Sequence, residues 1–293
     1  MKTALVFGGT RFFGVNLVQS LLQREIKVTI ATRQHTEIPF GPEVEKIKVD
    51  RFDLESMQEA TEGRSWDFVF DQICYNADDA SIAVEVLEGK VGKYIFTSTQ
   101  SVYDYGANLA EDMFNPTTYQ FSKEKNEKVN YQEGKRQAEA VFYQKADFPV
   151  TAVRLPIVLG EHDYTGRLQL HIDHIKTAQP LGFYNLDAEI GFIHQEEAGA
   201  FIAWIAEQNF TGPINACANG TLTLDELIKK IQHTVNKEAI IQPSTFMDQG
   251  HSPYGIEKTW TMSNEKASAL GYTFSTLEEW LPNLIEKLSS ERV

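Results

Sequence analysis

The apolar run Ala4 to Phe7 ends at Gly8-Gly9, and Phe13, Leu17, Val18, Leu21 and Leu22 then recur at helical spacing. A buried strand that turns on glycines straight into a helix constrains the fold more than any other feature of the chain. Gly8 can make the tight turn, and Gly14 can let helix and strand pack closely. Free N–H groups at such a helix start, together with the helix dipole, favour a pyrophosphate. Gly8, Gly9, Thr10, Arg11, Phe12, Phe13 and Gly14 are therefore expected to hold a dinucleotide.

The same alternation continues. Strands are expected around Val28 and Ile30, at Glu45 to Val49, Asp67 to Phe70, Tyr94 to Thr97 and Pro149 to Leu155. Helices are expected at Ala80 to Leu87 and from about Gln132 to Lys145. Strands alternating with helices predict an α/β fold: a Rossmann-type, doubly wound parallel sheet covered on both faces. The second half changes character, with helical stretches at Ala198 to Glu207, Leu224 to Val235 and Leu277 to Leu288 between long polar connections. The expected division is a dinucleotide-binding domain over 1–160 and a smaller substrate lobe over 161–293, with some late elements returning to the sheet.

The charge balance narrows the partners. A formal net charge of −14 disfavours a polyanion, so nucleic acid is not the expected partner and a small-molecule substrate is. Apolar runs such as Phe201 to Ala206 are too short to span a bilayer, and no membrane partner is expected. Cys74 and Cys217, the only cysteines, allow neither a CxxC motif nor a disulfide framework, which fits a reducing, cytoplasmic setting. The oligomeric state is left open, a homodimer being one option. His171 and His174 lie three apart without an evident third ligand, so no metal site is expected.

Phe7-Gly8-Gly9-Thr10-Arg11-Phe12-Phe13-Gly14 resembles the cofactor turn of the extended and atypical short-chain dehydrogenases/reductases, in the NAD(P)-dependent epimerase/dehydratase family. Arg11 stands where that family's pattern has its middle glycine. Ser98 to Tyr103, Arg154 to Gly160, Phe192-Ile193-His194 and Leu222 to Leu227 are similar to later family segments. The resemblance implies a nicotinamide cofactor. It also implies adenine contacts from Asp50 and Arg51, and it adds Pro156 to the cofactor site. Cys74 and Tyr75, after the fourth strand, are expected to line the cofactor crevice. No carboxylate closes the second strand in Ile30-Ala31-Thr32-Arg33. Arg33 and Arg11 are therefore expected to meet a 2′-phosphate, which favours NADP(H) over NAD(H).

The family's chemistry uses Tyr-x-x-x-Lys, whose spacing puts both side chains on one helix face. A lysine charge favours the ionised phenol, and the phenol can then pass a proton to or from a substrate oxygen. The pattern occurs three times, as Tyr119/Lys123, Tyr131/Lys135 and Tyr254/Lys258. Tyr131/Lys135 is favoured, because Ala138, Val141 and Phe142 give that segment an apolar face and it leads directly into the next strand. Thr99, four residues before Tyr103, takes the place of the family's catalytic hydroxyl. The Asp-Glu pair that follows this hydroxyl in dehydratases is Gln100-Ser101 here, so dehydration is not expected. The expected activity is that of an NAD(P)-dependent oxidoreductase or epimerase acting on a hydroxyl or carbonyl of a small molecule, such as a sugar derivative. The alternatives are a non-catalytic dinucleotide-binding regulator and an RNA-binding protein of the same fold, as in chloroplast stem-loop-binding relatives. Ile190 stands where sugar-nucleotide enzymes of the family place an arginine, which points to a smaller or less anionic substrate, with Arg167 able to compensate. The polar connection Asp104 to Asn130 is a candidate lid.

Overall fold

The computed structural model describes residues 1–35, 37–121, 129–244 and 250–290. Strands β1 (Thr3–Phe7), β2 (Lys27–Thr32), β3 (Glu45–Lys48), β4 (Trp66–Asp71) and β5 (Val91–Thr99) join strands Val150–Leu155 and Gly212–Asn215 in one seven-stranded sheet. Every pairing in it is parallel. The chain runs outward from β1 through β2 to β3, then returns to β4 on the other side of β1. That reversal opens a crevice at the carboxyl ends of β1 and β4, where ligands of such sheets bind. Leu5, Val69, Ile95 and Val153 are fully buried, as a sheet covered on both faces requires.

The helices follow from local sequence. In α1 (Phe13–Gln23) Leu17, Val18 and Leu21 are buried. Helix α2 (Leu54–Thr61) is capped by Asp53, and α3 (Ala77–Leu87) by Asn76, whose side-chain oxygen accepts from the N–H groups of Asp78 and Asp79. Helix α4 (Tyr131–Lys145) starts on Asn130, whose side chain accepts from Glu133 N–H at 2.8 Å.

The chain divides into two compact units. The sheet unit comprises Met1–Tyr103, Glu111–Leu155 and Glu196–Ala216. Helix Gln195–Glu207, which the sequence pattern assigns to the second lobe, lies almost wholly in it. A Cβ on Gly199 would come within 2.5 Å of the Leu17 nitrogen, so this glycine lets the helix lie against the α1 backbone. Lys93 Nζ donates to the carbonyls of Ile205 and Gln208 at that helix's C-terminal end, at 2.8 and 2.9 Å.

The second unit comprises Asp104–Ala110, Pro156–Gln195 and Cys217–Val293. Its core joins helices Arg167–Lys176, Leu224–Val235 and Leu277–Ser290 through Leu168, Ile172, Leu227, Ile231, Leu281 and Ile285, among others. A capping box between Thr223 and Glu226 starts the middle helix. The long connection is not all loop, since it holds a strand, Gly106–Leu109, and a short 3-10 turn, Glu111–Met113. Residues 122–128 of the candidate lid lie outside the described residues. Among the described residues no helix is long and apolar enough to cross a membrane.

Candidate active site

The glycine turn is shaped for an anion. Gly8 has φ +83°, a left-handed conformation that other residues rarely adopt. A Cβ on Gly14 would lie 2.1 Å from the Gly8 carbonyl oxygen, so only glycine lets α1 begin this close to the turn. Phe12, just before α1, is a non-glycine residue at φ 50° and lends the helix no side-chain cap. The first turn of α1 carries no acidic residue. An anion placed there meets the positive end of the helix dipole and no competing carboxylate.

The expected reactive side chains come from β5 and α4. Lys135, one turn into α4, is 2% exposed. Its Nζ donates to the carbonyl oxygens of Cys74 at 2.7 Å and Thr97 at 2.9 Å. It thereby ties α4 to β5 and to the loop that follows β4. The close approach depends on Gly134, because a Cβ there would meet the Tyr75 carbonyl oxygen at 2.5 Å. The Lys135 ammonium lies 5.0 Å from the Tyr75 ring centre, 4.8 Å from that of Phe96 and 5.9 Å from that of Tyr131. Tyr131 and Tyr75 are both well exposed, so a half-open aromatic surface stands over a buried ammonium. Thr99, half-buried at the end of β5, accepts from Ser101 N–H at 3.1 Å through its hydroxyl oxygen, which leaves its own proton to donate.

Two buried ion networks hold these strand ends. Arg51 donates from Nε and Nη2 to Asp71 Oδ2 at 2.7 and 2.6 Å, and Tyr94 donates to the same oxygen at 2.6 Å. Burial is the strongest single influence and opposes the charge on Arg51, but the Asp71 carboxylate and its hydrogen bond, with Tyr94 and Cys74, together hold the guanidinium above its ordinary range. Arg51, expected to contact adenine, is thus already engaged by Asp71. The side chain is 2% exposed and also donates to the Asp79 carbonyl at 3.0 Å. Asp50 is half-buried and its carboxylate accepts from Phe52 N–H at 3.1 Å. In the second network Arg154 forks onto Glu139 at 3.0 and 2.6 Å. Ser98 donates to Glu139 at 2.5 Å, and Tyr103 accepts from Arg154 while donating to Asn215. Asp71 escapes a reading of motifs. Its available signal is a carboxylate closing the otherwise apolar run Phe68 to Phe70.

Other expected residues take different places. Cys74 does not line a crevice with its thiol, which is fully buried; burial pushes it well above its usual range, and only its carbonyl contributes, to Lys135. Tyr119 donates to Glu133 at 2.6 Å, and burial and that carboxylate raise its pKa. Its expected partner Lys123 lies outside the described residues. Tyr254 and Lys258 do not share a helix; Tyr254 is buried in the second unit with its ring stacked on His171 at 4.6 Å, and Lys258 is exposed. Pro156 is buried and also belongs to the second unit. Arg11 and Arg33 are exposed.

The sequence matches the NAD dependent epimerase/dehydratase family over residues 4–217, more than half of the chain. The chain belongs to that family. Among curated proteins it is 24% identical over 247 residues to the chloroplast stem-loop binding protein of 41 kDa b of Arabidopsis thaliana. The match covers 78% of this chain and 62% of that protein, so this chain spans less than two thirds of the relative's length. Its fold is shared by the UDP-glucose 4-epimerase of Thermus thermophilus, solved in complex with NAD (17% identity, TM-score 0.72, 99% of this chain and 100% of that one). It is shared equally by the dTDP-glucose 4,6-dehydratase of Bacillus anthracis, also solved with NAD (17% identity, TM-score 0.73, 98% and 96%).

These findings correct the cofactor. The dinucleotide in the solved relatives is NAD, not NADP. Missing the strand-two carboxylate is not enough to build a 2′-phosphate site. Arg11 and Arg33 lie exposed to solvent, where a surface charge is screened and weakly selective.

Proposed function

We propose that the chain moves hydride between bound NAD and a hydroxyl- or carbonyl-bearing carbon of a sugar derivative, as an oxidoreductase or epimerase. The observation that carries this reading is the buried Lys135, held by the carbonyls of Cys74 and Thr97, one helical turn from the exposed Tyr131. The sheet unit is the dinucleotide-binding part and the second unit the substrate-binding part. The residues fit NAD: Gly8 and Gly14 form a cradle that a Cβ would fill, and Gly8, Gly9, Thr10, Arg11, Phe12, Phe13 and Gly14 would hold its diphosphate. When bound, NAD supplies the hydride acceptor and donor. Tyr131 takes the proton from the substrate hydroxyl and returns it to the carbonyl oxygen. Lys135 would hold the ribose nearest the reaction. Thr99 donates to the reacting oxygen.

The substrate class is supported by the relatives, which are named for UDP-glucose and dTDP-glucose. Ile190 weakens the case for their nucleotide portion. It is 2% exposed within the second unit's apolar core and offers a diphosphate nothing. Arg167, half-buried at the start of its helix, is the cation through which this unit would meet a phosphate. The name of the Arabidopsis relative raises RNA binding, against which the net charge of −14 weighs. Both cysteines are buried as thiols rather than joined in a disulfide, which supports a cytoplasmic setting.

The test is to incubate the full chain with NAD and a panel of UDP-, dTDP- and GDP-sugars and free sugars. NADH absorbance and product stereochemistry are followed. Turnover of at least one sugar is expected. NAD binding with no turnover of any, and no spectral change, would leave the regulator reading in its place.

A further inference from the structure

Gln72 follows β4 at the point where neighbouring β1 runs into the glycine turn. The two strands pair up to Phe7 opposite Asp71, and Gln72 N–H donates to the Phe7 carbonyl at 3.2 Å. A Cβ built on Gly8 would lie 3.1 Å from Gln72 Cβ, and one on Gly14 would lie 3.2 Å from Gln72 Oε1. The side chain therefore runs past the turn, its Cβ against the space of Gly8 and its carboxamide against that of Gly14. Gln72 is 9% exposed, and its Nε2 is buried without a hydrogen-bond partner among the described residues. Leaving a buried donor unpaired is costly, and native structures rarely do so without a reason. Here the unpaired donor sits beside a turn that already favours an anion, at a helix start with no side-chain cap and no acidic residue.

We propose that Gln72 is a cofactor-positioning residue whose Nε2 donates to a diphosphate oxygen of the dinucleotide at the glycine turn. The inference rests on the NAD reading above and adds a residue to it. Gln72 sets where the diphosphate lies between β1 and β4, and so where the nicotinamide end is presented to Lys135 and Tyr131. A neutral amide suits this place. It meets an anion without an ion pair's desolvation cost, and before the cofactor arrives it leaves no uncompensated charge buried.

The experiment is titration calorimetry of NAD and of ADP-ribose, which keeps the diphosphate but lacks the nicotinamide. It uses the full-length chain as wild type, Gln72→Leu and Gln72→Glu, with thermal unfolding of each protein alone. A hydrogen bond to a charged acceptor implies about a tenfold to hundredfold loss of affinity in Gln72→Leu, equal for both ligands. Gln72→Leu should unfold no earlier than wild type without ligand, because it removes an unpaired buried donor. Gln72→Glu keeps the size but opposes the diphosphate. It should bind more weakly still and recover as the pH falls towards protonation of the new carboxyl. A Gln72→Leu variant that binds both ligands within about twofold of wild type overturns the proposal. So does a Gln72→Glu variant whose affinity is indifferent to pH. Failure of the wild type to bind NAD would overturn the cofactor reading itself.

Discussion

In the sheet unit Arg154 and Glu139 are both fully buried and face each other as a forked ion pair, and the buried Arg51 meets one oxygen of Asp71 with two nitrogens. The second unit buries polar groups of another kind. His171 is fully buried, its ring nitrogens paired with the Arg167 carbonyl and the Ser252 hydroxyl, and its face is stacked on Tyr254. Its ion pairs, such as Lys230–Glu278 and Lys287–Glu161, are at least partly exposed. The sheet unit buries charge, in ion pairs or on lysines held by carbonyls; the second unit buries the His171 ring. The difference follows from position. Each pair of the sheet unit has one partner near the end of a parallel strand, Asp71 or Arg154, and so ties that strand to a loop or to α4. The rings of the second unit fill space between helices. Paired charges make a unit intolerant of losing one partner, whereas a buried neutral imidazole makes a unit sensitive to acid.

The comparison first separates chemistry from stability within the sheet unit. Tyr131 is 54% exposed, so Tyr131→Phe should cost little stability. It should lower turnover by about 100- to 10,000-fold with NAD affinity nearly intact, as expected for loss of a general acid–base group. Tyr119→Phe should be the milder change, since that hydroxyl is already given to Glu133. Steady-state kinetics and NAD titration of the two variants decide the matter, and a dead Tyr119→Phe beside an active Tyr131→Phe would reassign the site.

A second test removes one half of a buried pair. Arg154→Met leaves Glu139 fully buried with only the Ser98 hydroxyl to meet it. Breaking such a pair typically costs about 3–5 kcal/mol. Urea unfolding should show a loss of that order, and Arg154→Met combined with Glu139→Leu should recover most of it. A single variant within about 1 kcal/mol of wild type would show that the network adds little.

The contrast between the units also explains what can be read in advance. Inner strands of the sheet unit such as β1 and β4 announce themselves as short apolar runs, because both faces are covered, and the glycine turn fixes where the first helix begins. Tyr131 and Lys135 are legible because the helix that carries them has a buried face, with Ala138, Val141 and Phe142 inside. What sequence hides is commitment. Arg51 looks available for a ligand until the strand order brings Asp71, 20 residues on, against it. Arg33 and Arg11 look like ligands of a 2′-phosphate until they are seen exposed, and the relatives hold NAD. Gln72 belongs to no motif. Its place beside Gly8 and Gly14 exists only once β1 and β4 are paired. Strand Gly212–Asn215 and helix Gln195–Glu207 are harder to place for a similar reason, since their contacts with the sheet unit are all long-range.

The smallest expected effect concerns the second unit and acid. Burial holds the His171 imidazole down at about 4, from an ordinary value of 6.5; the neighbouring His174 charge lowers it further, and the hydrogen bond to Arg167 works the other way. The folded chain therefore keeps this ring neutral where the unfolded chain protonates it. Stability from this group is fully present above pH 6.5 and is lost progressively as the pH falls towards 4. A gap of that size is worth at most about 3 kcal/mol, and less at pH 5, where only part of it has been spent. Urea unfolding of the wild type and of His171→Asn at pH 7.5 and pH 5 isolates the group, since asparagine does not titrate. The variant starts less stable, because it loses the stack on Tyr254, but it should lose less between the two pH values than the wild type does. The Arg154 guanidinium, held above its ordinary range by Glu139 despite burial, stays charged throughout and should contribute nothing to this difference. If wild type and His171→Asn lose stability in parallel, the acid sensitivity lies elsewhere. The contrast between paired charges and neutral rings would then not account for how the two units respond to pH.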